Sequence, residues 1–376
     1  MKYFIIAGEA SGDLHGSRLI SELKCYDKNA SFCFLGGDKM ALAAGCNPIL
    51  HYRDMAFMGF VNVLLNFKKV LHLKQIAQGE LLKFSPDKVI LIDYPGFNLR
   101  FARFVKQNFP TAEVLYYIAP KLWAWKEYRI KSIKRYVDRM FTIFPFETDW
   151  FASRGYAVEY VGNPSVDSVS AFMAEPFDET KFRIDNNLDS RPIIALLPGS
   201  RRQEIRSCLP IMAQLPNRFP SYQFVVAAAP SIEPDFYKSV MENSYMKILY
   251  GTTNSLQRIA CAAVVNSGTA TLETALFRVP QVVVYKTFAG RFAMLFKSFI
   301  IKTQWVSLVN IIAQREVVTE LLAHYFTLEN TVAELDSLLH NPNRRQSMIQ
   351  SYNQIVQILG PSGADARCAE KIIKKL

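Results

Sequence analysis

Four short segments of this chain combine reactive residue types with positions where a fold could use them. The run at 87–93 (DKVILID) is apolar up to its last residue and continues as Ile92-Asp93-Tyr94-Pro95-Gly96-Phe97-Asn98. A carboxylate at the carboxyl end of a buried strand is partly desolvated, which suits a general base. An aspartate that only turns the loop or caps the next helix fits the same place. The loop at 199–204 (GSRRQE) follows the apolar run PIIALLP and opens a helix. Backbone N–H groups near Ser200 and the guanidinium of Arg201 could there meet a phosphate, although a tight turn with a solvated arginine has the same spacing. It is not a Walker A loop, because G-x-x-x-x-G-K is absent. The segment 266–273 (NSGTATLE) repeats the logic, with Ser267, Gly268 and Thr269 facing a phosphate and Glu273 about one turn on, placed for ribose hydroxyls. Its bland counterpart is a capping box closed by Glu273. In the loop at 8–13 (GEASGD), Glu9 and Asp13 would repel a phosphate, so a sugar hydroxyl among Glu9, Ser11 and Asp13 is the better guest, and an ordinary N-cap the plainer reading.

Other segments speak to surroundings rather than chemistry. Within 55–76, Phe60, Val63, Leu64, Phe67 and Leu71 share one helical stripe, Val61 and Leu65 widen it, and Lys68, Lys69 and Lys74 follow. An apolar face with a cationic fringe suits an anionic membrane interface, and an ordinary buried helix has a similar pattern. The run 291–302 (RFAMLFKSFIIK) is a second of the kind. Trp123 and Trp125, followed by Lys126, Arg129, Lys131, Lys134 and Arg135, could stack bases or sit at a membrane, although two tryptophans more often pack a core and helix surface beside a solvated basic face. No nucleic-acid module signature accompanies them, so no nucleic-acid partner is expected. Six scattered cysteines without a C-x-x-C pair, and five scattered histidines, form no zinc template. No D-x-D-like pair marks a metal-bridged pyrophosphate, so neither metal nor cofactor is expected. Unpaired thiols suit a reducing compartment. The chain enters a strand at Lys2 without an apolar leader, and no run approaches the ~18 apolar residues of a spanning helix. A cytosolic protein is the resulting expectation.

Elements must hold these loops in place. The chain has 376 residues, half of them hydrophobic and a fifth charged, with a net charge of +11. That length predicts two domains, that composition excludes disorder, and that charge argues for an anionic partner. Strands are expected at 2–8, 31–36, 87–93, 113–119, 139–144 and 158–162, with helices at 12–24, 98–108 and 146–154 between them. Continuous apolar strands alternating with helices read as a doubly wound parallel sheet. The polar stretch 173–191 reads as a connection. A second series then offers strands at 192–198, 222–229, 246–250, 261–266 and 280–285, and after Lys286 the pattern is helical nearly throughout.

In this order, the motifs resemble those of the lipid-A-disaccharide synthase family, glycosyltransferases of the GT-B type. The resemblance rests on GEASGD (8–13), GFVNVL (59–64), IDYPGFN (92–98), APKLWAWKEYRIKSI (119–133), PFE (145–147), VGNP (161–164), LLPGSR (196–201), NSGTATLE (266–273) and WVSLVN (305–310). It implies an α/β fold of two Rossmann-like lobes facing a cleft with a helical C-terminal tail. The lobes fall at 1–170, for acceptor and membrane docking, and 190–340, for the UDP-sugar. Helices at 341–376 pack back on the first lobe or are exchanged in a homodimer. The implied reaction joins UDP-2,3-diacylglucosamine to 2,3-diacylglucosamine 1-phosphate (lipid X) through a β-1,6 bond, with inversion and release of UDP. Asp93 then matches the general base, Arg201 with Ser200 the pyrophosphate loop, and Ser267, Gly268, Thr269 and Glu273 the UDP loop. Asn310 matches an asparagine needed for activity, Glu9, Ser11 and Asp13 the first loop, and the stripe with Phe60, Val63, Leu64, Phe67, Lys68 and Lys69 the membrane-docking face at the cytoplasmic side of the inner membrane. The sequence departs from the family pattern at Gly96, Asn163, Trp305 and Val309. Another UDP-sugar transferase with a lipid-linked acceptor, a UDP-sugar epimerase, and a nucleotide- or phospholipid-binding membrane protein without chemistry are the competing readings.

Overall fold

A computed structural model describes residues 1–55, 67–241, 246–286 and 304–374. Contacts divide the chain into two compact units, Met1–Pro164 with Ser362–Leu376, and Ser165–Pro361.

The first unit is built on seven parallel strands: β1 (Lys2–Ala7), β2 (Ser31–Gly36), β3 (Leu50–His51), β4 (Lys88–Ile92), β5 (Glu113–Tyr117), β6 (Arg139–Thr142) and β7 (Glu159–Tyr160). Their order is β3-β2-β1-β4-β5-β6-β7. Successive side chains of a strand point to opposite faces, and both faces here are covered. Tyr3, Ile5 and Ala7 join one buried cluster with Leu19, Ile20 and Leu23 of the helix Ala10–Tyr26. Phe4 and Ile6 join the other, with Leu81, Phe101 and Val105. Burial on both sides is why these strands read as unbroken apolar runs.

The second unit repeats the plan with β8 (Ile193–Leu197), β9 (Gln223–Ala228), β10 (Lys247–Tyr250), β11 (Ala260–Asn266), β12 (Gln281–Tyr285) and β13 (Glu320–Leu322), ordered β10-β9-β8-β11-β12-β13 and parallel throughout. Eleven of the expected strands are present within a residue or two of their expected ends. β3 and β13, of two and three residues, were not expected. Both lie at sheet edges, where one neighbour suffices and little sequence is needed. β13 also corrects the expectation of helix nearly throughout after Lys286. The polar stretch 173–191 carries a helix, Glu179–Asp185, capped by Asp178, and clusters with the second unit.

The last described helix, Ala364–Ile373, returns to the first unit. Cys368, Ala369 and Ile372 enter the cluster around Tyr3. Tyr117 donates its hydroxyl to Asp365 at 2.7 Å, Arg367 donates to the Val161 carbonyl at 2.8 Å, and Lys371 pairs with Glu159 at 2.8 Å. Among the described residues no helix is long and apolar enough to cross a membrane.

Candidate active site

In an open parallel sheet, ligands bind beyond the carboxyl ends of the strands at the point where strand order reverses. In the first unit that point lies between β1 and β4, which pair side by side. Gly8 and Glu9 leave β1 there, and Asp93 and Tyr94 leave β4. In the second unit it lies between β8 and β11. Gly199–Arg201 leave β8, and Ser267–Thr269 leave β11. All four segments singled out by their residue types therefore stand at the switch point of their own sheet.

Asp93 is held by its backbone. Its amide donates to the Tyr117 carbonyl at 3.0 Å, and its carbonyl accepts from Asn98 Nδ2 at 2.7 Å and from the Tyr116 hydroxyl. Asp93 and Tyr94 both adopt left-handed φ, 44° and 47°, as do Ile118 (63°) and Lys126 (53°) in the segment after β5. Such residues cost about 1–3 kcal/mol each without glycine, and concentrate where geometry serves function. Gly8 is required by this arrangement, since a Cβ there would enter the Tyr94 ring. With its main chain fixed, Asp93 leaves its carboxylate exposed. Surrounding protein raises that carboxyl above the ordinary range, Lys121 opposes the shift, and Glu9 adds to it. Asn98 and Tyr116 are positioning side chains that residue type alone did not single out. Asn98 stands where a helix residue of the IDYPGFN motif would, but is buried and aimed back at the strand.

The first loop divides. Glu9 and Ser11 are exposed. Asp13 is buried, and its carboxylate accepts from the amides of Gly37, Lys39 and Met40 at 2.7, 3.2 and 3.0 Å. It caps the neighbouring helix Asp38–Ala44 from outside, which places it as a strut for the loop and not at the exposed surface with Glu9 and Ser11.

In the second unit, the two amides just before the helix Arg202–Met212 are engaged by its own first turn. Glu204 accepts from the amides of Ser200 and Arg201 at 3.0 and 3.3 Å and pairs with the Arg201 guanidinium at 3.0 Å. The amides expected to meet a phosphate are thus already taken, and the exposed Arg201 side chain is the feature directed outward. Gly199, at φ 115°, sits so close to Glu204 and Asn266 that no side chain fits. The loop after β11 differs. No side chain caps the helix Thr269–Leu276, and Gly268 and Thr269 are exposed. Gly268 has an extended backbone and open space where a Cβ would be, so the fold itself does not demand glycine there. Glu273 is half-buried and its carboxyl raised by that burial.

Ser267 donates its hydroxyl to the Val306 carbonyl at 2.9 Å, tying this loop to the WVSLVN segment. That segment hangs on Glu320 of β13, which accepts from the amides of Val306 (3.0 Å) and Ser307 (2.9 Å) and from Asn310 Nδ2 (2.9 Å). Asn310 is fully buried. Its Oδ1 accepts from Val317 and Val318 amides at 2.8 and 3.0 Å, and its Nδ2 also reaches the Val318 carbonyl at 2.9 Å. Expected to be needed for activity, Asn310 has its hydrogen-bonding capacity spent within the protein. Glu320 carried no signal in the sequence because β13 carried none. Phe60, Val63 and Leu64, with the run 291–302, lie outside the described residues, as do the side chains of Phe67, Lys68 and Lys69. The described part of the helix Phe67–Phe84 buries Leu73, Ala77 and Leu81 at four-residue spacing.

Two doubly wound parallel units, each with a loop cluster at its switch point, define a fold of the GT-B type. The UDP-GlcNAc 2-epimerase from Neisseria meningitidis, solved bound to UDP-GlcNAc, is similar over the full length of both chains (TM-score 0.70, 13% identity). The UDP-GlcNAc 2-epimerase from Methanocaldococcus jannaschii, in complex with UDP-GlcNAc and UDP, is similar over 96% of this chain and 99% of its own (TM-score 0.58, 14% identity). The family model for lipid-A-disaccharide synthetase matches residues 3–373. Lipid-A-disaccharide synthases of Trichlorobacter lovleyi and Myxococcus xanthus are each 36% identical, over 99% and 100% of this chain and 97% of theirs. The chain belongs to the lipid-A-disaccharide synthase family. It is a glycosyltransferase of the hexosyltransferase class, acting in lipid A biosynthesis on a UDP-sugar donor and a lipid acceptor.

Proposed function

We propose that the enzyme transfers 2,3-diacylglucosamine from its UDP derivative to the 6-hydroxyl of lipid X in a single inverting displacement. Asp93 takes the hydroxyl proton as the sugar–UDP bond breaks. Arg201, with Ser200, stabilises the departing diphosphate. The amide of Ser267 is held by the Val284 carbonyl at 2.9 Å, so the uncapped turn offers the diphosphate the amides of Gly268 and Thr269, and Glu273 accepts from the ribose. Glu9 and Ser11 bind acceptor hydroxyls, while Asp13 and Asn310 shape their loops. The observation that carries this reading is the coincidence of the four loops at 8–13, 93–98, 199–204 and 266–273 with the switch points of their sheets, in a chain of this family.

Product formation from the two purified substrates, with chelator present, tests it. UDP and a tetraacyl disaccharide phosphate are expected in equal amounts. UDP binding without disaccharide would retain the donor loops and overturn the acceptor. Asp93→Asn is expected to lower transfer by about 10²–10⁴-fold while leaving UDP affinity intact, the usual worth of a general base. Turnover near the wild-type rate would remove Asp93 from that role.

The same reading extends to location and assembly. The 60–69 stripe docks the enzyme on the anionic cytoplasmic face of the inner membrane, and the C-terminal helices close either the first unit of their own chain, as described above, or that of a second copy. Val63, Leu64 and Phe67 changed together to Ser should abolish sedimentation with anionic vesicles and preserve the circular dichroism spectrum. Sedimentation equilibrium giving a monomer would overturn the exchange.

A further inference from the structure

We propose that Glu320 is a positioning residue for the donor diphosphate, holding the Gly268–Thr269 turn in place through Val306 and the Ser267 hydroxyl. The proposal rests on the reading of that turn as the diphosphate site.

A ring of contacts closes beside the carboxyl end of β12. Ser267 follows β11, and its amide donates to the Val284 carbonyl of β12 at 2.9 Å. β12 pairs with β13, where Val283 lies opposite Glu320. The Glu320 carboxylate reaches the segment 305–310 and accepts from the amides of Val306 at 3.0 Å and Ser307 at 2.9 Å. The Val306 carbonyl accepts from the Ser267 hydroxyl at 2.9 Å, which returns the ring to its start. Expected to face a phosphate, Ser267 thus has both its donors spent inside the protein. It is the joint at which the turn is fastened to two elements.

A carboxylate suits the far side of this ring. The amides of Val306 and Ser307 and the Asn310 Nδ2 (2.9 Å) all converge on it, and a charged acceptor makes such bonds roughly twice as strong as a neutral one. A glutamine has one carbonyl oxygen, and its NH2 group would face a donor. Ser307 also caps the helix Leu308–Ala313, accepting from the Asn310 amide at 3.2 Å, so the segment carrying Val306 is fixed at its other end as well. Beyond Ser267, the Gly268 carbonyl accepts from the Thr271 hydroxyl at 2.8 Å. The amides of Gly268 and Thr269, on exposed residues, therefore lie between two fastened points. Donors held in this way need no reorganisation as charge develops on a departing diphosphate, so the ring serves transfer as well as binding.

The test uses the full chain labelled with ¹⁵N, with UDP titrations and transfer rates. In the UDP-free wild type, the Gly268 and Thr269 amides should have order parameters of about 0.85, falling below about 0.6 in Glu320→Gln and in Ser267→Ala. Each variant should weaken UDP by about tenfold and the double variant no further, because both open the same ring. KM for the acceptor should stay unchanged while kcat/KM for the donor falls. Glu334→Gln, which breaks the ion pair with Arg344 in the same unit, should leave UDP affinity unchanged whatever it costs in melting temperature. Wild-type UDP affinity in Glu320→Gln, an equal loss in Glu334→Gln, or a loss of about hundredfold in the double variant overturns the proposal. If Glu320→Gln does not fold, Ser267→Ala decides, and wild-type order parameters there overturn it. Gly268 and Thr269 signals that UDP does not shift in the wild type would sink the reading of the turn as the diphosphate site. The order parameters of the variants would still decide whether Glu320 fixes that turn.

Discussion

At the scale of single residues, a half-buried histidine and a buried glutamate of the first unit oppose each other. His15, in the helix Ala10–Tyr26, is lowered to about 4 by burial and by the Arg18 charge, and its Nδ1 has no hydrogen-bond partner. A histidine kept neutral by the fold favours folding above its unfolded value of about 6.5, and that contribution is lost as pH falls toward 4. The shift corresponds to about 3 kcal/mol. Glu147 runs the other way. Raised to about 7, it favours folding below its unfolded value of 4.5, and that contribution disappears as pH rises through 7. Denaturant titrations from pH 4 to 8 should show His15→Leu with less acid sensitivity than wild type, and Glu147→Gln gaining stability relative to wild type up to pH 7 by about 3 kcal/mol. Parallel curves for all three would mean that neither group is perturbed. Arg201→Ala, by contrast, should leave stability within about 0.5 kcal/mol, since its ion pair is at the surface, yet weaken UDP by about tenfold. Equal UDP affinity would move the diphosphate elsewhere. Residue type singled out Asp93, Arg201 and Gly268 in the sequence, and all three stand in loops that leave a switch point. The candidate site was illegible at Asn98, Tyr116 and Glu320, whose contribution lies in what the folded chain brings to them. Asp13 and Asn310 show the converse. Their types suit substrate contact, and only coordinates reveal their hydrogen bonds committed to backbone.

At the scale of elements, the strands were legible because burial on both faces leaves them mostly apolar, whereas β3 and β13 were not, because two or three residues without a flanking apolar run leave no pattern. Loop conformation was the least legible. Nothing in IDYPGFN or IAPKLW states that Asp93, Tyr94 and Ile118 turn left-handed, since L-residues pay for that conformation and only surrounding contacts sustain it. The segment 305–310 carries a prediction of its own. Asn310→Ala would leave two amides, a carbonyl and Glu320 without their partner, which should cost about 3 kcal/mol or more and lower the melting temperature along with activity. An Asn310→Ala protein that melts like wild type and is inactive would instead make Asn310 a direct substrate contact.

At the scale of the whole molecule, a net charge of +11 implies long-range attraction to anionic lipid and substrate. Association with anionic vesicles should weaken steeply between 50 and 500 mM salt, because the Debye length shrinks from about 14 Å to about 4 Å over that range. Salt-insensitive association would assign docking to the apolar stripe alone. The division of the chain has a different kind of consequence. The first unit is closed by residues 362–374, which follow everything in the second. On the ribosome, Ser165–Pro361 is a contiguous stretch that can fold as it emerges, whereas the first sheet, made earlier, waits for the helix whose Cys368, Ala369 and Ile372 complete the cluster around Tyr3. At synthesis rates of about 5–20 residues per second that wait lasts on the order of tens of seconds. The half of the enzyme that is translated first is the half that is finished last, and during that interval its open apolar face is the natural client of a chaperone.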